Sequence, residues 1–130
     1  MEERVIFLPA VPQSELWKYT SIADIGLCTI EKSWLSYYYS LPNKLFEYIQ
    51  ALVPILGSDF PEIGRIVNDY HVGICCDPGD PVAISRGIKE LLLMSNTGEL
   101  KEGLVKAKNE LCWEKEKERL VSAYTELMNK

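Results

Sequence analysis

The chain has 130 residues, 47% of them hydrophobic and 25% charged, which suits one soluble globular domain with one core and is too few for two ordinary domains. Net charge is −5, which argues against a general nucleic-acid binder, because that function needs a basic face. The carboxylates are spread along the chain, so there is no acidic tail. Arg4 to Leu8 is a short apolar run ended by Pro9 and predicts a buried strand. Pro12-Gln13-Ser14 opens a helix that carries Leu16, Trp17, Tyr19 and Thr20. Ile25 to Ile30 predicts a second buried strand. Continuous apolar runs rather than alternation suggest parallel strands covered on both faces.

Glu31 to Pro42 predicts a loop bearing Trp34, Tyr37, Tyr38 and Tyr39. A helix follows from about Asn43 to Leu52, with Leu45, Ile49 and Leu52 on one side and either Ser40 or Asn43 as its cap. Pro54 to Leu56 predicts a third strand, ended by Gly57-Ser58-Asp59. Pro61 suits the first turn of the next helix, and Ile63, Ile66, Val67 and Tyr70 recur there at helical spacing. Val72 to Cys76 predicts a fourth strand. Asp80 then caps a helix with Pro81 at its first position and Ile84, Ile88, Leu91 and Leu92 as its buried stripe. Asn96-Thr97-Gly98 breaks that helix. Two more helices are expected, over about Glu99 to Leu111 and Glu114 to Met128. Strands alternating with helices argue for a parallel sheet built from right-handed crossovers.

One segment carries most of the chemistry. Ser40, Pro42, Lys44, Glu47 and Tyr48 stand in an S-x-P-x-K-x-x-E-Y pattern, followed by Pro54-Ile55-Leu56, Ser58-Asp59 and Pro61-Glu62. This pattern resembles the donor-binding half of family 4 glycosyltransferases with the GT-B fold, the group 1 glycosyl transferases. The resemblance extends upstream over Arg4 to Leu8, Val11, Glu15-Leu16, Tyr19 and Ala23-Asp24-Ile25-Gly26-Leu27. Downstream it takes in His71-Val72-Gly73-Ile74, Asp77-Pro78, Trp113-Glu114 and a closing helix ending near Tyr124.

The resemblance implies an α/β, Rossmann-like, three-layer α/β/α fold with a parallel sheet. It makes residues 1–130 a single, truncated nucleotide-sugar-binding C-terminal domain. A family donor domain has six strands in the order 3-2-1-4-5-6, of which this chain would supply the last four. The two absent strands would lie between its first and second. The chain would then pair those two directly or borrow strands, and open edges would invite a homo-oligomer. The family's glycine-rich diphosphate turn and its N-terminal acceptor domain are also missing, which suggests a fragment or one half of a split enzyme.

The implied activity is retaining transfer of a sugar from a UDP- or GDP-sugar to an acceptor, of the hexosyltransferase type, as in surface polysaccharide or glycoconjugate synthesis. The nucleotide-sugar is a substrate, and no cofactor or metal is implied. Catalytic residues are not assigned. Glu47 matches the second Glu of the family's E-x7-E motif, which holds the ribose; a carboxylate can accept hydrogen bonds from both ribose hydroxyls. Tyr39 stands where the first Glu belongs, so the sugar contacts of that residue do not carry over. Lys44 and the helix start formed by Ser40, Pro42 and Asn43 suit a diphosphate. Val11, with Ala10 and Leu16, follows the first strand, where the family places the base.

Each residue also has a plainer reading. Glu47 can be a solvated helix residue, Lys44 a surface lysine and Leu16 core packing. The aromatic loop can face a sugar or a partner domain, or cover the core, and the second is preferred because aromatics contribute much buried area. Asp59 and Glu62 read as capping or first-turn residues and His71 as a surface turn. Glu114 to Arg119 reads as a solvated helix face with local ion pairs. Cys28, Cys75, Cys76 and Cys112 form no C-x-x-C and have no histidine at ligand spacing, so a zinc site is not expected. Their pattern fits a reducing cytosol, peripheral to the inner membrane face at most. Glu2, Glu3 and Arg4 open the sequence without a signal peptide, and the apolar runs fall far below a membrane span. The alternative to a transferase is a non-catalytic nucleotide-binding or α/β interaction module acting with a partner subunit.

Overall fold

A computed structural model describes residues 4–129; Glu2 and Glu3 lie outside them. The elements run α1 (Gln13–Thr20), β1 (Gly26–Cys28), α2 (Leu35–Tyr38), α3 (Asn43–Gln50), β2 (Ile55–Ser58), α4 (Pro61–Tyr70), β3 (Gly73–Cys76), α5 (Pro81–Thr97), α6 (Lys101–Glu110) and α7 (Trp113–Met128). The strands form a parallel sheet in the order β1-β2-β3, with Gly26 opposite Ile55 and Ile55 opposite Gly73. The architecture is the expected α/β, Rossmann-like one.

Successive side chains of a strand point to opposite faces, and β2 separates the two helix layers on this rule. Leu56 packs on Gly87 of α5, while Gly57 faces Ile63 and Val67 of α4. Helices α3, α4 and α6 pack together on the second face. The core lies on both sides of β2 and is built from Leu45, Ile49, Ile55, Leu56, Ile63, Val67, Val72 and Leu91, with Leu100 and Leu104 closing it. Helix α6 comes so near the end of α4 that a Cβ at Gly103 would collide with the carbonyl oxygens of Tyr70 and His71.

Local signals set the element ends. Asp80 caps α5, its Oδ1 accepting from the Val82 N–H at 2.8 Å, and Pro81 occupies the first turn. Gly98 ends the same helix at φ 73, and His71 ends α4 in the left-handed region at φ 55. The expected surface turn at His71 is therefore a helix C-cap, exposed and 3.8 Å from the Glu99 carboxylate. Glu62 lies in the first turn of α4, paired with Arg65 at 2.8 Å, whereas Phe60 and not Asp59 is the N-cap.

The expectation of four strands is corrected to three among the described residues. Arg4 to Leu8 forms no strand, and Val5, Ile6, Phe7 and Leu8 are all exposed. A strand exists through its ladder, and among the described residues this run pairs with no strand. It neither closes onto β1 nor joins the sheet, so among the described residues the outer edge of β1 is unpaired. The expected aromatic loop contains the short helix α2. Only Tyr38 packs inward, with its ring 5.0 Å from that of Phe60, while Trp34, Tyr37 and Tyr39 are exposed. Helix α3 stops at Gln50, and Leu52, at φ 60, lies outside its buried stripe. Leu92 is likewise partly exposed. The charge run of α7 is a solvated face with Lys115–Glu118 and Arg119–Glu116 pairs.

Leu45 is fully buried and central to the α3 layer. Leu45→Ala should cost about 2–5 kcal/mol of stability in denaturant unfolding, and Asp80→Ala, which removes only a cap, about 1 kcal/mol. Equal losses would contradict this placement of the core.

Candidate functional site

Helix α3 has its rotation fixed by three contacts. Leu45 and Ile49 enter the core. The Tyr48 ring lies directly on Gly26 of β1, leaving no room for a Cβ there, and its hydroxyl donates to the Leu27 carbonyl at 3.4 Å. The Gln50 side chain donates from Nε2 to the carbonyls of Lys108 and Leu111, at 3.2 and 3.1 Å. The face that remains carries Asn43, Phe46 and Glu47, and it turns toward α1.

Between α1 and α3 lies a cavity of about 410 Å³. Glu47, Asn43 and Phe46 line one wall; Gln13, Leu16, Trp17 and Thr20 line the other. Gln50 sits at its far end. Both amide hydrogens of Gln50 are spent on α6, so its Oε1 is left to accept. Among the described residues, the half-buried Glu47 carboxylate makes no ion pair or hydrogen bond within the chain. It is free to accept from a ligand.

The start of α3 is uncapped. Pro42 is the N-cap residue and Asn43 the first helical one, with no side-chain cap. Neither alternative read from the sequence holds, because the Ser40 hydroxyl donates to the Tyr37 carbonyl at 2.9 Å. The leading N–H groups of α3 and its positive dipole end therefore face outward unoccupied by a side chain.

The sequence pairs Lys44 with Glu47 on one face, but the structure separates them. Glu47 lines the cavity; Lys44 is exposed, does not line it, and sits on the Cys28 side. Val11 lines an adjoining cavity of about 330 Å³ with Leu8, Pro9, Ala10 and Tyr19. Leu16 is shared by both cavities, so its side chain divides them rather than joining the core. Trp17, Phe46, Gln13 and Gln50 escape the sequence reading. Gln50 does leave a signal, as a lone polar residue between Ile49 and Ala51-Leu52-Val53.

Burial raises the pKa of two thiols on the sheet, Cys28 of β1 and Cys75 of β3. Desolvation pushes Cys28 up to about 11, against a smaller lowering by the Lys44 ammonium. Desolvation first, then Asp59, pushes Cys75 up to about 12. Desolvation also raises the Tyr48 phenol.

The description "Glycosyl transferases group 1" matches residues 1–111. A curated relative, "Probable glycosyltransferase WbjE" of Pseudomonas aeruginosa, is 30% identical over 90 residues, which is 68% of this chain and 22% of that protein. The chain thus aligns with under a quarter of that relative's length. No solved structure matches the chain. The chain belongs to the group 1 glycosyl transferases, and its place there is in a Rossmann-like GT-B C-terminal part.

A raised thiol pKa keeps protons on the folded chain that the unfolded chain releases. Stability is therefore whole below the ordinary thiol value of 9.0 and is lost as pH rises toward about 11 for Cys28 and about 12 for Cys75. Thermal unfolding followed on both sides of pH 9.0 should show this alkaline decline, and Cys28→Ala should flatten it. An unchanged slope in that variant would mean that Cys28 does not contribute.

Proposed function

We propose that this chain holds the nucleotide-sugar donor of a retaining glycosyltransferase, a hexosyltransferase in surface polysaccharide or glycoconjugate synthesis. One observation carries the reading: an unpartnered carboxylate, Glu47, shares a cavity with Asn43 at the uncapped start of α3. A helix rises about 1.5 Å per residue, so Glu47 stands about 6 Å along the axis from Asn43. That offset suits a ribose on Glu47 and a diphosphate at the helix end. Glu47 would accept from both ribose hydroxyls. The free N–H groups of α3, with Lys44 nearby, would neutralise the diphosphate as substrate and as leaving group. The base would lie toward Leu16, at the boundary with the cavity lined by Val11. Catalysis in this reading is orientation plus electrostatic stabilisation of the departing nucleotide. The chain by itself would turn over little, since residues for the acceptor and for much of the diphosphate would come from elsewhere in such an enzyme. It would work in the cytoplasm or at the inner face of the membrane; among the described residues, no helix is long and apolar enough to cross one.

Amide-shift titration with UDP-, GDP- and ADP-sugars should move residues from Asn43 to Glu47 at millimolar ligand, and Glu47→Ala should weaken binding about tenfold or more. Silence at these amides with every nucleotide would overturn the reading.

A second reading, a nucleotide-binding module that acts with a partner subunit, is favoured by the edge of β1 that is unpaired among the described residues and by the exposed Val5 to Leu8 run. It predicts a solution mass that rises with concentration or on mixing with that subunit. A constant monomer mass in both conditions would count against it.

A further inference from the structure

We infer that Gln50 selects the base of the bound nucleotide: its Oε1 accepts from the ring N–H of guanine or uracil, a group that adenine lacks. Assigning that base to a sugar donor rests on the donor reading above; the direction of the Gln50 amide does not.

The amide has one possible orientation. Nε2 lies 3.2 and 3.1 Å from the carbonyl oxygens of Lys108 and Leu111, and a carbonyl can only accept. The reversed amide would set oxygen against oxygen at both contacts, so the two ends of this side chain cannot be exchanged. Both donors are spent on the end of α6. Gln50 lines the α1–α3 cavity, and among the described residues its Oε1 is neither hydrogen-bonded nor a buried orphan. It offers the cavity an acceptor and nothing else. Thr20, on the opposite wall, donates its hydroxyl proton to the Leu16 carbonyl at 3.2 Å, so it too is left to accept.

The place of Gln50 along α3 is that of a base. Asn43, Glu47 and Gln50 are spaced by four and three and form one stripe of the helix. At about 1.5 Å of rise per residue, Gln50 lies about 4.5 Å beyond Glu47, away from the helix start. With the diphosphate at that start and the ribose on Glu47, the base is the next group in this direction. The walls suit a flat ring. Trp17 and Phe46 line the cavity from opposite helices, with Leu16 beside them, and among the described residues neither ring is paired with another. A heterocycle gains by stacking on such a ring.

The acceptors then discriminate. Guanine presents its N1–H and N2 amino group side by side, and uracil presents N3–H. On the same edge adenine presents one amino group beside a ring nitrogen that only accepts, and this nitrogen opposes Oε1.

The test is an amide-shift titration of the whole chain with GDP, UDP, IDP and ADP. IDP and ADP form the critical pair, because their bases differ only at position 6 and in the proton on N1. GDP, UDP and IDP should each bind about tenfold tighter than ADP and shift the Gln50 side-chain amide and the Trp17 indole N–H. Gln50→Lys keeps a donor for the two α6 carbonyls and removes the acceptor; its added charge acts on every diphosphate alike. In that variant the IDP-to-ADP ratio should fall to about one while Asn43 to Glu47 still shift. Equal binding of IDP and ADP by the unaltered chain, with shifts at Asn43 to Glu47, overturns this proposal and leaves the donor reading standing. A ratio that survives in Gln50→Lys also overturns it, since another group would then read the base. If no nucleotide moves Asn43 to Glu47, both fall.

Discussion

The contact between the Tyr48 ring and Gly26 sets the rest of the site. A strand and a helix can approach this closely only where the strand has no side chain, and any Cβ at residue 26 would enter the ring. With Tyr48 on β1, and with Leu45 and Ile49 in the core, α3 has one rotation available. Gln50 locks it from the far end through two carbonyls at the end of α6. Glu47 precedes Tyr48, so its direction toward α1 follows from packing that does not involve Glu47. A side chain at residue 26 would displace α3 and turn Glu47 away without touching the cavity itself.

A second fixture serves the carboxyl edge. Ser58 is the one buried polar side chain among the described residues, and its hydroxyl is satisfied by the chain leaving β1. A buried hydroxyl without partners would be costly, so the loop is held to this geometry as strictly as an apolar contact would hold it. The segment from Ile30 through α2 to Pro42 therefore begins from a fixed point and ends at the start of α3. The turn after β1 and the start of α3 both depend on that segment.

What was legible in the sequence was local. Pro61, Asp80-Pro81 and Gly98 mark helix ends through interactions spanning two or three residues, and the structure follows them. The three central apolar runs became β1, β2 and β3 because each has a neighbour. The run from Val5 to Leu8 has the same composition and forms no strand, since composition does not supply a ladder. Glu47 could be singled out from its motif, but its orientation depends on Gly26, and nothing near Glu47 in the sequence reports that contact. Lys44 and Glu47 are three apart and so look like one face. The cavity lies to the Glu47 side, and the Lys44 charge falls near Cys28. Trp17 was hidden for another reason: beside Leu16, at helical spacing, an aromatic reads as core, yet here it lines a cavity wall and stays 64% exposed.

A parallel sheet delivers every loop that follows a strand to the same edge, so the start of α3 and the turns after β1 and β3 lie on one rim. What separates them is charge. The start of α3 presents free N–H groups and a positive dipole end with Lys44 beside it, while the turns after β1 and β3 carry Glu31 and Asp77, which make no ion pair among the described residues. The two surfaces are joined by the one segment anchored at Ser58, so moving that anchor would disturb both at once, whereas changing either set of charges would disturb one alone.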